Sequence, residues 1–124
     1  MMLLVAGMAA CSKPPGKGGT SRIKGRVWIR DYNSTFTVLQ QSFWAMEERV
    51  YIVYGDHDFY DDDIRTSYDG TFAFEELRPG TYTIFAYTDD STFTVPGGQY
   101  AVLQTVEITD DGQTVEVPNF VLLK

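Results

Sequence analysis

At 124 residues the chain has room for one domain and not for two. Aromatics at 15 % and charged residues at 22 % exclude a disordered chain and point to a packed, β-rich core. The net charge of −7 is unevenly placed: Lys13, Lys17, Arg22, Lys24, Arg26 and Arg30 precede every acid, and all 17 Asp and Glu follow them. The acidic body repels phosphates and argues against a nucleic-acid partner.

Met1–Ala10 is an apolar run that ends in Met8-Ala9-Ala10, directly before Cys11. A single cysteine rules out an internal disulfide and a Cys-rich metal site. The run is too short to span a bilayer as a helix, which needs about 20 residues. It resembles the lipobox of bacterial lipoprotein signal peptides. The resemblance implies a signal peptide over residues 1–10, cleavage before Cys11, and a palmitate-type lipid on that thiol. A membrane is then the first partner, and the cell envelope, on its periplasmic or surface side, the location. Such signals open on Lys or Arg, and none precedes this run.

Residues 11–21 contain Pro14, Pro15, Gly16, Gly18 and Gly19 and no large apolar side chain, so they read as a flexible tether. The basic leader from Lys13 to Arg30 either sits near an anionic membrane, at ~1 kcal/mol per close charge, or is a solvated linker whose charge does nothing specific. The folded domain is expected over residues 22–124.

From Arg22 onward, short β-type runs alternate with turn signals, and no long helical stripe occurs. Ile23, Gly25, Val27 and Ile29 recur at period two. In the next run Val50 and Ile52 share a face, with Tyr51 and Val53 opposite. Asp69-Gly70 predicts a hairpin between strands at Ile64–Tyr68 and Thr71–Glu75, with both turn residues at positive φ. Arg78-Pro79-Gly80 predicts a type II turn before a strand at Thr81–Tyr87. Asp110-Asp111-Gly112 predicts a second hairpin, between Tyr100–Thr109 and Gln113–Leu122, and Pro118 puts the last strand at an edge or a bulge. About seven antiparallel strands predict an all-β sandwich.

The pattern Ile23-x-Gly25-x-Val27, followed by Thr66-x-x-Asp69-Gly70-x-Phe72-x-Phe74-x-x-Leu77-x-Pro79-Gly80-x-Tyr82-x-Ile84, resembles the carboxypeptidase-regulatory, transthyretin-like (prealbumin-like) domains, including B-type repeats of bacterial surface proteins. Arg49–Gly55 and Asp61–Gly70 resemble segments of small Bacteroidetes-type lipoproteins. The likeness covers Arg22 to Leu123, with an insertion at Asp31–Glu48. It implies an immunoglobulin-like sandwich that acts as a spacer, folding aid or binding unit and is not an enzyme.

The family's reactive variants are not matched. A Lys–Asn isopeptide bond has Asn119 near the asparagine position, but Arg30 stands where the lysine would, and guanidinium is not a usable nucleophile. Ala86 takes the place of the assisting acid, and Lys24 is the only spare amine. The 5-hydroxyisourate-hydrolysing branch needs several histidines and a Tyr-Arg-Gly-Ser terminus; this chain has His57 alone and ends Phe120–Lys124.

Two binding features remain. Asp56, Asp58, Asp61, Asp62 and Asp63 crowd one loop, and either wrap a calcium ion or stay solvated. No other cofactor is implied. By strand parity Tyr51, Phe85 and Tyr87 point away from the core, forming either a recognition patch for an envelope protein or a glycan, or a floor covered by the insertion with Phe36, Val38, Leu39, Phe43 and Trp44.

Overall fold

The computed structural model describes residues 14–124; Cys11 and the expected signal peptide lie outside them. The described chain is all-β, with two sheets packed face to face. Nine strands follow in order: β1 (Lys17–Tyr32), β2 (Leu39–Trp44), β3 (Arg49–Tyr54), β4 (Asp62–Arg65), β5 (Thr71–Leu77), β6 (Gly80–Asp89), β7 (Gln99–Ile108), β8 (Thr114–Glu116) and β9 (Phe120–Leu123).

β1 is the spine of the first sheet. Its first half pairs antiparallel with β5 on one side and parallel with β8 on the other. Its second half pairs likewise with β2 and β9. The second sheet runs β4-β3-β6-β7, all antiparallel. The alternation read from the sequence sets the inner faces: Ile23, Val27 and Ile29 of β1 meet Val50 and Ile52 of β3 and Tyr82, Ile84 and Ala86 of β6 in one core. Phe72, Phe74, Phe120 and Leu122 fill the space between. Each fully buried aliphatic side chain contributes about 1.5–3 kcal/mol.

Both predicted hairpins are corrected. β4 and β5 lie in different sheets, so Asp69-Gly70 turns the chain from one sheet to the other. Of the pair only Gly70 takes positive φ, at 84°, where an added Cβ would lie 2.8 Å from the Val27 carbonyl oxygen. β7 and β8 are likewise split between sheets across Asp110–Gly112. The last predicted strand is broken at Val117–Asn119, around Pro118, into β8 and β9.

The expected tether is already docked at Pro14. Tyr82, at the start of β6, is fully buried (0 % exposed). Its hydroxyl donates to the Arg78 carbonyl at 2.6 Å and accepts from the Gly16 amide at 2.8 Å. Arg78 adds Nε to the Pro14 carbonyl and its amide to the Gly16 carbonyl, each at 2.8 Å. A tyrosine reaching back to the backbone a few residues upstream is the corner device of immunoglobulin-like sandwiches. The glycines here serve close approach: a Cβ on Gly19 would run into the Leu77 carbonyl.

Candidate functional site

The insertion does not cover the second sheet. It becomes β2 and extends the first sheet beside β1, with Trp44 opposite Trp28. The outer face of the second sheet is therefore not roofed by the insertion: Tyr87 is exposed there, and Tyr51 and Phe85 are half-buried. Antiparallel register places Tyr51 of β3 directly opposite Phe85 of β6, and Phe85 opposite Leu103 of β7. Neighbouring strands lie about 4.8 Å apart, so this row spans roughly 10 Å.

Tyr51 and Phe85 are stacked, with ring centroids 4.8 Å apart and planes inclined by 11°. Tyr87 stands edge-on to both at 5.7 Å. The structure thus brings together all three aromatic residues expected from strand parity. It adds one aromatic and one aliphatic residue that parity reasoning passed over. Tyr60, on the loop before β4, packs against Tyr51 at 4.8 Å. Leu103 is 60 % exposed, beside Tyr87 at 40 % and Tyr60 at 51 %. Leu103 was legible as the outward partner of Val102 in an alternating strand; Tyr60 was not, because a loop residue carries no periodicity.

Polar groups border this platform. Arg49 Nε lies 2.8 Å from the Asp63 carboxylate, and its guanidinium is 6.0 Å from the Tyr51 ring centre. Thr83 and Thr105 face each other on the same side, one step along from Phe85. The arrangement suits a flat ligand with an apolar face and polar edges.

The acidic loop is arranged differently from a metal cage. Asp61 accepts from the Tyr54 amide at 2.7 Å and meets His57 Nδ1 at 2.8 Å. Asp62 lies 3.9 Å from Lys17, and Asp63 is the partner of Arg49. Asp56 and Asp58 are set toward solvent. Among the described residues no three acidic, histidine or cysteine side chains converge on one point. The loop does act on its neighbour: burial, then the charges of Asp62 and Asp61, push the Tyr54 phenol above its ordinary pKa.

The opposite face carries a cluster that charge counting alone assigned to the leader. Arg22, Lys24 and Arg26 alternate outward along β1, and the Arg26 guanidinium lies 3.5 Å from the centre of the Trp44 ring.

As a sequence the chain matches no family model and no curated protein. Among solved structures it is similar to a crystal structure from Pseudomonas aeruginosa of a protein proposed to bind carbohydrate. The TM-score is 0.51 with 14 % identity, and the likeness covers 100 % of this chain and 99 % of that one. At that identity the likeness is one of fold, and it extends along the whole chain. The molecule is an all-β sandwich.

Proposed function

We propose that this protein is a non-enzymatic, carbohydrate-binding accessory of the bacterial cell envelope, held at a membrane by a lipid on Cys11. Its sugar site is the outer face of the four-stranded sheet. The observation that carries the reading is the stacked, half-buried Tyr51–Phe85 pair, flanked by the exposed Tyr60 and Tyr87. The C–H groups on one face of a pyranose ring meet the negative face of an aromatic ring favourably. Arg49, Asp63 and the two threonines offer donors and acceptors at the edges for hydroxyl groups. The proposed carbohydrate binding of the Pseudomonas aeruginosa protein of similar fold is compatible with this reading. The non-catalytic reading rests on His57 being the one histidine of the sequence, exposed on a loop among aspartates.

A second reading, a protein partner in the envelope, is favoured by one feature: Leu103 puts an aliphatic group beside the aromatic set. Titration with a panel of neutral oligosaccharides, followed by amide chemical shifts, separates the two. Sugar binding is expected to shift β3, β6 and β7 and to weaken about tenfold in Tyr87→Ala and Phe85→Ala, variants whose melts confirm folding. No binding by the parent protein, or unchanged affinity in both folded variants, would discard the sugar reading. The anchor is tested separately: Cys11→Ala is expected to leave the membrane fraction, and a variant that stays wholly membrane-bound would overturn it.

A further inference from the structure

The outer face of the five-stranded sheet is locally basic in a chain of net charge −7. Arg22, Lys24 and Arg26 project from β1 at every second position, about 6.6 Å apart. Together with Arg65 they line an open groove of about 770 Å³. Among the described residues none of these four takes part in an ion pair. Glu75 and Glu116 also line the groove, so its cations outnumber its acids.

Arg26 is held in place before any ligand arrives. Its Nε donates to the Asp69 carbonyl at 2.9 Å, and its guanidinium lies flat enough on Trp44 to sit 3.5 Å from the ring centre. Trp44 is itself braced edge-on by Trp28 at 4.8 Å. The nearby Asp69 carboxylate is occupied by the hydroxyl of Thr71 at 2.7 Å, which holds its pKa below the usual carboxylate range. The two terminal nitrogens of Arg26 make no hydrogen bond among the described residues. A planar fork of donors, charged and fixed in orientation, is the geometry that takes a carboxylate through two parallel hydrogen bonds.

We propose that this groove is a second binding site, independent of the aromatic face, for a saccharide carrying a carboxylate. The acid group sits on the Arg26 fork near Lys24 and Arg65. The sugar hydroxyls meet Ser67, Thr71 and Asn119, polar residues that line the same groove. The acids of the body repel an extended polyanion or a flat anionic membrane. A single charged sugar unit, by contrast, lies within a Debye length of about 8–10 Å of the local cations.

The test is calorimetric titration with galacturonic acid, a single charged sugar unit, and with its methyl ester. The acid form is expected to bind, to weaken as salt rises, and to exceed the neutral ester by about tenfold or more. Arg26→Gln is expected to reduce acid binding about tenfold, and Arg26→Lys by less, because it keeps the charge and loses the fork. A thermal melt of each variant confirms folding. Tyr87→Ala is expected to leave the preference for acid over ester unchanged, whatever it does to neutral sugars, so the failure of one face is distinguishable from the failure of the other. The proposal is overturned if acid and ester bind equally, if neither binds, or if folded Arg26→Gln keeps full affinity. It is also overturned if only phosphatidylglycerol vesicles or oligothymidylate bind in a way that depends on Arg26.

Discussion

Tyr82→Phe removes one oxygen atom from the interior, and the structure says what that atom holds. The hydroxyl is buried between the Arg78 carbonyl at 2.6 Å and the Gly16 amide at 2.8 Å. The ring and its edge contact with Tyr54, at 5.8 Å, survive the substitution, so lost packing is not the source of the effect. Two backbone groups lose their partner. One of them, the Gly16 amide, regains water if the N-terminal segment lifts away, and the other belongs to the β5–β6 turn. A buried polar group left unpaired costs about 1–3 kcal/mol, and the relief at Gly16 holds the total near the middle of that range, about 2 kcal/mol. For a domain of this size 1 kcal/mol lowers Tm by about 4 °C, so a fall of about 8 °C is expected in a thermal melt followed by circular dichroism. Amide exchange at Gly16 and its neighbours should accelerate in parallel, because Tyr82 and Arg78 clasp that segment to the body. A fall of less than about 2 °C with unchanged protection at Gly16 would refute the clasp.

Two further predictions concern charge. Asp90 accepts from the Thr92 hydroxyl at 2.6 Å and from the amides of Thr92, Thr94 and Val95 at 2.9, 2.8 and 2.7 Å, and these bonds, the Thr92 hydroxyl foremost, hold its carboxyl well below the usual range. Because the folded pKa lies below the unfolded one, the contribution is present above about pH 4 and is lost as pH falls further toward the folded value. Plots of Tm against pH should therefore drop more steeply below about pH 4 in the parent than in Asp90→Asn, and parallel curves would contradict the assignment. Millimolar calcium is expected to leave Tm within about 1 °C of its value in chelator, since Asp61 serves Tyr54 and His57, Asp62 faces Lys17, Asp63 pairs with Arg49, and Asp56 and Asp58 face solvent; a clear rise would mean that the loop rearranges around an ion.

The outward placement of Tyr51, Phe85 and Tyr87 was legible from the sequence because a strand has a side-chain period of two. Once Val50, Ile52, Tyr82 and Ile84 are assigned to the core, their neighbours have only one other side to face. That these three rings meet was not legible. Contact across strands requires the register, which sets Tyr51 against Phe85, and a register is a relation between segments far apart in the chain. The basic groove was hidden for a related reason. Period two along Ile23, Gly25 and Val27 already puts Arg22, Lys24 and Arg26 on one face of the first strand, but only the pairing of β1 with β2 sets Trp44 beside them.

The sequence by itself determined the all-β class, most inner faces, and the positions of the turns at Asp69-Gly70, Arg78–Gly80 and Asp110–Gly112. Alternation and turn chemistry are local, and local preferences act wherever the segment ends up. Tertiary structure decided where each turn sends the chain. A turn reverses direction, but whether the next strand joins the same sheet depends on which edge has unpaired amides and carbonyls and which apolar face still needs cover. Here β1 supplied both edges: β5 and β2 took one, β8 and β9 the other, which made two predicted hairpins into crossings between sheets. The same competition drew the insertion into the first sheet as β2 and left the aromatic face of the second open.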